Sequence, residues 1–534
     1  MSDLSGIPLH SASDPFHSLN NDILLHIFTL NGDMFLDTYA LHTTRISSQV
    51  CRQWRDLMLN APFLWARLID LDRIYNAWNR EWRNELLLRS GAAPLWIRAE
   101  FNPYVKISQV ASPTDRYDNI EHFLLKVLSG NWHRIQKLII NSECWSFPRN
   151  LDILCSPAPQ LEEIEIKVEE PTIHPYDLRL YDIEFPVFAN FAPFLRRLTL
   201  RNHVVNHRAP WLNQLYFLNI DAMHNVRDAL QVLSAAHNLR ELRIISLSTS
   251  LGRKETCTPL TNVSLPHLKL LEYYGGVEEG AELLDQIETP LDCSLAIRAW
   301  FSLDEEAAAF FALVNVFARQ IQGHVRSRKI DSICVKYLPN SITIELETTF
   351  PVKYYFHLHI LRLPDTPVYD TIMNSIAFPE FSCATIIRFV AVGPLHPCFG
   401  SFLNFLTSVH TIFTESGTLQ LIMDLQGNMI STNNPRILLP TLSIIDLHTV
   451  DPVLDDFSVD APTAAFILSR LRDGHPIATL NLTVEDMAPF NAPPNLDALA
   501  EVDGLKVTYK LSQARGIFEY ICGSGDPARL IDTV

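Results

Sequence analysis

The sequence lacks an excess of basic residues. Lysine and arginine total 43 against 60 acidic residues, which gives a formal net charge of −17. This charge opposes approach to phosphate backbones and to anionic lipid surfaces. We therefore expect no nucleic-acid partner and no membrane partner.

The sequence also lacks a long apolar run, because no stretch supplies the roughly 18 apolar residues that a membrane helix needs. The nearest candidate, AAAFFALVNVFA at 307–318, is predicted to be a buried helix. Ser302 and Glu305 form a capping box before it, and Gly323 is predicted to end it. The opening MSDLSGIPLHSASDPFHSL has neither the basic nor the apolar region of a secretory signal. We therefore expect an intracellular protein, cytoplasmic or nuclear.

The third absence is that of motifs for catalysis or metal binding. The nine cysteines are odd in number and widely spaced, which is typical of reduced thiols. The sequence has no Cys-x-x-Cys or His-Glu-x-x-His pair, no glycine-rich phosphate loop, no dinucleotide fingerprint and no Gly-x-Ser-x-Gly elbow. We predict no catalytic residue, no metal site and no cofactor. An enzyme on a fold without these motifs is the alternative.

Three short segments allow a functional interpretation, but a structural one is favoured for each. His357 and His359 share one face of a predicted strand, yet no Cys, Asp or Glu at useful spacing completes a metal site, so we interpret them as ordinary strand residues. EEIEIKVEE at 162–170 predicts a strand with a solvated acidic face, and an acidic patch for a basic partner is the alternative. CGSGD at 522–526 is interpreted as a turn.

The sequence does contain a recurring strand pattern. Six segments share the form apolar-x-x-apolar-x-apolar, with middle residues Leu138, Ile164, Leu198, Leu218, Leu242 and Leu271. The steps between them are 26, 34, 20, 24 and 29 residues. These steps scatter around the length of leucine-rich repeats, about 20 to 29 residues. Because one strand and its return helix cannot bury their apolar faces alone, such units stack into a continuous core.

The pattern extends beyond the first six strands. Helix-like segments lie between the units, as at 225–236, and similar strands recur from 384 to about 509 with a return helix at 466–474. Between the two runs, strand candidates centre on Leu295, Ile333, Ile342 and His357. We interpret 293–365 as part of one array. The irregular steps, and the lack of a regular Asn or Cys after each strand, indicate a degenerate array.

The first hundred residues have a different, helical pattern. LNNDILLHIF predicts a helix that is capped by Asn20 or Asn21 and ends at Asn31-Gly32. Further helices are predicted from Leu36 to about Thr44, from Ile46 to Leu59, and from Tyr75 to Arg89. The strand-like APLWIRAEF follows them. About 45 residues in this region carry more apolar side chains than three short helices can bury.

This region resembles an F-box, the helical module by which substrate receptors join cullin-RING ubiquitin ligases through a Skp-type adaptor. LNNDILLHIF is similar to the family opening Leu-Pro-x-Glu-Ile-Leu, SQVCRQWRDL to its Val-Cys-x-x-Trp-x-x-Leu, and NAPFLWARL to its closing Leu-Trp. Asn20 replaces the usual Pro and Asp22 the usual Glu. LLLRSGAAPLWIRAEF resembles the segment that joins F-box and leucine-rich array in a large class of fungal F-box proteins.

The resemblance implies which residues bind the adaptor. The expected adaptor-binding residues are Leu19, Ile23, Leu24, Phe28, Val50, Cys51 and Trp54. The expected F-box core consists of Ile27, Leu57, Leu64 and Trp65.

The sequence therefore predicts an α/β protein with a short all-α F-box and an irregular leucine-rich-repeat solenoid, a horseshoe of parallel strands with return helices. The expected segments are a disordered N-terminus (1–15), the F-box (16–70), a linking helix and first strand (71–100), the solenoid (101–515) and a tail (516–534). The expected function is that of the substrate-recognition subunit of a Skp-cullin-F-box ubiquitin ligase, with the array binding an unknown target protein. A non-ligase F-box scaffold is the alternative.

Overall fold

The computed structural model describes most of the chain, and the statements below concern the described residues alone. They are 19–71, 80–101, 113–142, 152–168, 187–200, 205–221, 225–245, 260–301, 307–327, 330–347, 355–361, 367–431, 437–447, 459–482, 494–511 and 516–524. The predicted disordered N-terminus, the Ser302–Glu305 capping box and the end of the acidic segment at Glu169 and Glu170 lie outside these residues. The chain divides into two units, 1–222 and 223–534, which are described in turn.

The first unit begins with four helices that lead into a sheet. Its helices are α1 (Asn21–Asn31), α2 (Ala40–Val50), α3 (Arg52–Leu59), α4 (Pro62–Ala66), α5 (Arg80–Arg89) and α6 (Pro113–Asn131). Its strands are β1 (Ile69–Asp70), β2 (Leu95–Phe101), β3 (Ile135–Ser142), β4 (Glu163–Val168), β5 (Arg197–Leu200) and β6 (Phe217–Asp221). Short 3-10 helices occur at Trp132–Arg134, Asp152–Cys155, Val187–Asn190 and Pro210–Gln214.

The second and third helices differ from the sequence-based expectation, and the second begins at Ala40 instead of Leu36. The second helix extends to Val50 instead of ending near Thr44, and the predicted helix Ile46–Leu59 is interrupted. Cys51 adopts an extended backbone (φ −151°, ψ 168°), and its sulfur accepts a hydrogen bond from the backbone N–H of Trp54 at 3.4 Å. The chain therefore turns at Cys51, which caps α3 with its side chain.

The strands of the first unit are all parallel, in the order β1-β2-β3-β4-β5-β6. Their buried central residues stand opposite one another in register: Ile69, Ile97, Leu138, Ile164, Leu198 and Leu218. The last four are the middle positions of the repeat pattern. Because these side chains point to the same face of the sheet, they form one continuous apolar ladder in its core.

The second unit repeats this architecture with more elements. Its helices are α7 (Val226–Ala235), α8 (Val277–Asp285), α9 (Ala307–Ser327), α10 (Pro367–Ile376), α11 (Pro397–Phe405), α12 (Ser416–Ser431) and α13 (Ala461–Arg472). Its strands are β7 (Glu241–Ile245), β8 (Val263–Ser264), β9 (Leu270–Gly276), β10 (Ile287–Glu288), β11 (Ser294–Trp300), β12 (Ser332–Leu338), β13 (Ser341–Glu347), β14 (Tyr355–Leu361), β15 (Ile386–Ala391), β16 (Thr411–Thr414), β17 (Ile444–Leu447), β18 (Thr479–Asn481), β19 (Lys506–Lys510) and β20 (Ile517–Ile521). Short 3-10 helices occur at Pro379–Cys383 and Asp497–Leu499.

The main sheet of the second unit is mostly parallel. It runs β7-β9-β11-β14-β13-β12-β15-β16-β17-β18-β19-β20, with antiparallel pairing only at β14-β13-β12 and at β19-β20 among the described strands. The strands of 293–365 therefore lie within this sheet, where β13 runs against its neighbours. β20 pairs within the segment that was predicted to be a tail. Strands β8 and β10 form a separate parallel pair.

Helix α8 contacts β9 and β11, and α12 contacts β15, while neighbouring helices along the chain pack against each other from α7 to α13. The helix predicted at 307–318 is longer than expected, since α9 continues through Gly323 to Ser327. Phe310, Leu313, Phe317 and Ile321 line its fully buried face. Their spacing matches the helical period, and Gly323 alone does not interrupt it. In the described residues we find no helix with the length and apolarity needed to cross a membrane.

Candidate functional site

The N-terminal helices expose an unusual concentration of large apolar side chains. Nineteen such side chains are exposed in the described residues, and nine of them fall between residues 23 and 63. We call these nine the N-terminal apolar surface: Ile23, Ile27, Leu30, Leu36, Tyr39, Ile46, Val50, Leu59 and Phe63. Scattered apolar residues are normal on a protein surface, whereas a concentration of exposed apolar side chains in one segment makes that segment a candidate interaction site.

Helix α1 divides its apolar residues between two faces. Leu24 and Phe28 are buried at a four-residue spacing, and Phe28 meets the ring of Trp54 edge-on with centroids 5.0 Å apart. Ile23 and Ile27 have the same spacing on the neighbouring stripe, but they are 50% and 40% exposed. One stripe of α1 therefore packs on α3, and the other faces solvent.

Helices α1, α2 and α3 contact one another. The Asn20 side chain caps α1 by accepting from the Asp22 N–H. At the start of α3, Gln53 Nε2 donates to Asn21 Oδ1 at 3.3 Å. This hydrogen bond joins the start of α1 to the start of α3.

The structure rearranges the expected sets of adaptor-binding and core residues. Of the first set, Ile23 and Val50 are exposed, Leu19, Cys51 and Trp54 are partly exposed, and Leu24 and Phe28 are buried. Of the second set, Leu64 and Trp65 are fully buried and Leu57 is partly buried. The expectation that Ile27 belongs to the core is wrong, because its side chain is exposed. A stripe of apolar residues on one helix does not reveal which edge its neighbours cover, and this is why the exposure of Ile27 was not foreseen.

Sequence reasoning missed several members of the surface. Leu30 continues the spacing of Ile23 and Ile27 along α1, and Ile46 precedes Val50 by one turn on α2. This helical spacing could have identified both residues.

A stack of arginine and tryptophan side chains fixes the helices of the first unit to one another. The guanidinium of Arg45 in α2 lies 4.6 Å from the Trp82 ring of α5, and that of Arg89 lies 5.3 Å from the same ring. Arg89 also lies 4.6 Å from the ring of Trp65 in α4, and its Nε donates to Glu85 Oε1 at 2.7 Å. Cation–π contacts of this kind add stability and orient the rings.

A second aromatic cluster ties the helices to the sheet. The ring of Phe35, between α1 and α2, lies 5.7 Å from Trp96 on β2. Arg67, which follows α4, stands 4.4 Å over the Trp96 ring, and Lys137 of β3 stands 4.6 Å from it. Arg98 of β2 forms a buried ion pair with Asp70 of β1. The N-terminal apolar surface is thus presented by helices that are packed on the sheet.

On the first unit's sheet, the acidic strand β4 is neutralised by its neighbours. Glu163 forms ion pairs with Lys137 of β3 at 3.2 Å and with Arg197 of β5 at 3.1 Å. Glu165 pairs with Lys167 at 2.7 Å. The described carboxylates of this strand therefore have basic partners within the chain, so they do not form an uncompensated acidic patch.

The two strand histidines lie beside a carboxylate that sequence spacing did not reveal. His357 Nδ1 on β14 is 2.9 Å from Glu345 Oε1 on the adjacent β13. This hydrogen bond lowers the pKa of the Glu345 carboxyl. Burial lowers the pKa of His359, helped by the charges of His357 and Arg298.

A different group of side chains could hold a metal ion. Asp370 in α10, His396 before α11 and Cys398 in α11 each offer a ligand atom, and these atoms lie within 4.8 Å of one another. Within the described residues, this is the one such group of three or more His, Cys, Asp or Glu side chains. No sequence pattern indicated this group, because Asp370 is distant along the chain from His396 and Cys398.

Comparison with known proteins adds no relative. No protein-family model matches the chain. No curated protein matches it either.

Proposed function

We propose that this protein is the substrate-recognition subunit of a Skp-cullin-F-box ubiquitin ligase. Helices α1 to α3 would bind a Skp-type adaptor and, through it, a cullin. The strand arrays would bind a target protein, and the chain itself would perform no chemistry. An associated ubiquitin-conjugating enzyme would supply the reactive thioester, and the complex would accelerate transfer by holding the target lysine near it.

The observation that carries the proposal is the N-terminal apolar surface. Nine of the nineteen exposed large apolar side chains of the described chain occur within 41 residues, in the segment that resembles an F-box. Exposing so many apolar side chains to water is unfavourable, by up to about 1.5 to 3 kcal/mol for each side chain that could be fully buried. A partner that covers the surface would recover part of this free energy.

The packing of the first unit also supports this role. The Arg45–Trp82–Arg89–Trp65 stack joins α2, α4 and α5 to one another, and the Phe35–Trp96 contact joins the connection between α1 and α2 to the sheet. A receptor must keep its target at a fixed distance from the transfer site, and a helical module on a flexible tether would not do so.

A non-ligase scaffold is the second candidate, since it would use the same surface to bind the adaptor. The two functions differ in whether the adaptor-bound protein also recruits a cullin. Co-purification with both adaptor and cullin supports the ligase subunit, whereas a stable adaptor complex without cullin supports the scaffold.

The test uses the full-length protein and co-purification with adaptor and cullin. The variants Ile23→Asp and Val50→Asp place a charge on two exposed positions of the surface. Leu88→Asp on α5 is the matched control, because Leu88 is 76% exposed but lies outside the surface. We expect the first two variants to remain folded and lose the adaptor, and the control to retain it. Wild-type protein that binds no adaptor, or equal binding by all variants, would contradict the proposal.

A further inference from the structure

Asp370, His396 and Cys398 bring three kinds of metal ligand together between two neighbouring helices of the second unit. Asp370 lies in the first turn of α10, His396 is the residue before α11, and Cys398 is at the second position of α11. Pro397 fixes the start of α11 between the last two. The carboxylate oxygen, ring nitrogen and sulfur all lie within 4.8 Å of one another.

The polar atoms of this cluster do not all form well-aligned hydrogen bonds. His396 Nδ1 is 2.8 Å from Asp370 Oδ1, but this buried nitrogen has no hydrogen bond of acceptable geometry among the described residues. Cys398 is buried, and its thiol is a hydrogen-bond partner of the Asp370 carboxylate. A buried ring nitrogen without a well-aligned hydrogen bond is costly, and a bound cation would satisfy it.

We propose that Asp370, His396 and Cys398 form a Zn²⁺ site that joins α10 to the start of α11. Imidazole, thiolate and carboxylate are all established zinc ligands, and their mixture suits this borderline ion better than Ca²⁺ or Mg²⁺, which prefer oxygen. Binding would displace the thiol proton into solvent, so that sulfur coordinates as thiolate. Three protein ligands leave a fourth position for water.

The spacing of the His396 nitrogen and the Asp370 oxygen needs little adjustment to accept the ion. Tetrahedral Zn²⁺ with ligands at about 2.0 to 2.3 Å places neighbouring ligand atoms roughly 3.3 to 3.6 Å apart. The His396–Asp370 contact of 2.8 Å would open by less than about 1 Å, which a small change in side-chain torsions can provide. Asp370 and His396 are partly exposed, which gives the ion a route from solvent. This inference does not depend on the proposed ligase function.

The test is a Co²⁺ titration of full-length protein after chelator treatment. A Co²⁺–thiolate bond produces a charge-transfer absorption, which reports directly on sulfur coordination. The variants are Cys398→Ser and Asp370→Asn, and the control is Cys383→Ser, because Cys383 is exposed nearby in the chain and lies outside the cluster. Circular dichroism establishes that each variant is folded. Asp370→Asn changes a partly exposed side chain, so it remains informative if Cys398→Ser fails to fold.

We expect one equivalent of Co²⁺ to produce the thiolate absorption in wild type and in Cys383→Ser, and Zn²⁺ to displace it. The absorption should be lost in Cys398→Ser. In Asp370→Asn, the apparent affinity for Co²⁺ should fall at least tenfold. Zn²⁺ should also raise the thermal unfolding midpoint of the wild type, because it binds only the folded site. No thiolate absorption in the wild type, or an absorption that depends on Cys383 instead, would overturn the assignment.

Discussion

Replacing Leu24 with alanine should destabilise the N-terminal helices far more than replacing its neighbour Ile23. Leu24 is 1% exposed and packs inside the module, whereas Ile23 is 50% exposed. Truncating a buried leucine costs about 2 to 5 kcal/mol, because the lost contacts leave a cavity. At Ile23 about half of the side chain is already in water, so the loss is about 1 kcal/mol, and the higher helix propensity of alanine offsets part of it. The expected difference is about 3 kcal/mol.

Hydrogen exchange followed by mass spectrometry measures this difference in full-length protein. A loss of about 3 kcal/mol in the opening free energy should accelerate exchange roughly a hundredfold in peptides from α1 and α3. The Ile23→Ala variant should exchange within a fewfold of the wild type. Equal acceleration in both variants, or none in Leu24→Ala, would refute the division of α1 into a buried and an exposed stripe.

Two further predictions concern the second unit. The hydrogen bond from His357 lowers the pKa of the Glu345 carboxyl. The ionised carboxylate therefore contributes stability that is present above the ordinary pKa of about 4.5. This stability is lost as pH falls through the lowered pKa. The gap between the thermal midpoints of wild type and Glu345→Gln should therefore narrow below about pH 4.5, and a constant gap would contradict this cause. Gly280→Ala would place a Cβ 2.6 Å from the buried Tyr273 ring, so we expect a loss of about 1 to 3 kcal/mol in chemical denaturation. Gly417→Ala, which meets nothing within 4 Å, should cause no such loss.

The strand pattern was predictable because its period is local. An apolar residue at every second position places one set of side chains on the core face, and a one-residue slip would move the whole set to solvent. The middle residues chosen from sequence, such as Ile164 and Leu198, indeed stand opposite each other in the sheet. Strand direction was not predictable from this pattern. Apolar and polar residues alternate in β13 in the same way whether the strand runs parallel or antiparallel to its neighbours. The sequence therefore does not show that β13 is reversed within 293–365.

The candidate sites were less predictable because they depend on tertiary contacts. Cysteine is not a common helix cap, so the break at Cys51 had no composition signal. The exposure of Ile27 depends on how α2 and α3 cover α1, which helical spacing does not encode. The Asp370–His396–Cys398 cluster requires two helices to be neighbours. Local patterns therefore predicted elements and register, and long-range packing decided which residues are accessible.

Titration of purified full-length protein with a Skp-type adaptor tests the central proposal most directly. We predict a one-to-one complex that Ile23→Asp weakens by at least tenfold, since a charge on an apolar contact costs about 2 kcal/mol or more. Leu88→Asp should bind like the wild type. Absence of binding by folded wild-type protein, or an unchanged dissociation constant in Ile23→Asp, would contradict adaptor docking on the N-terminal apolar surface.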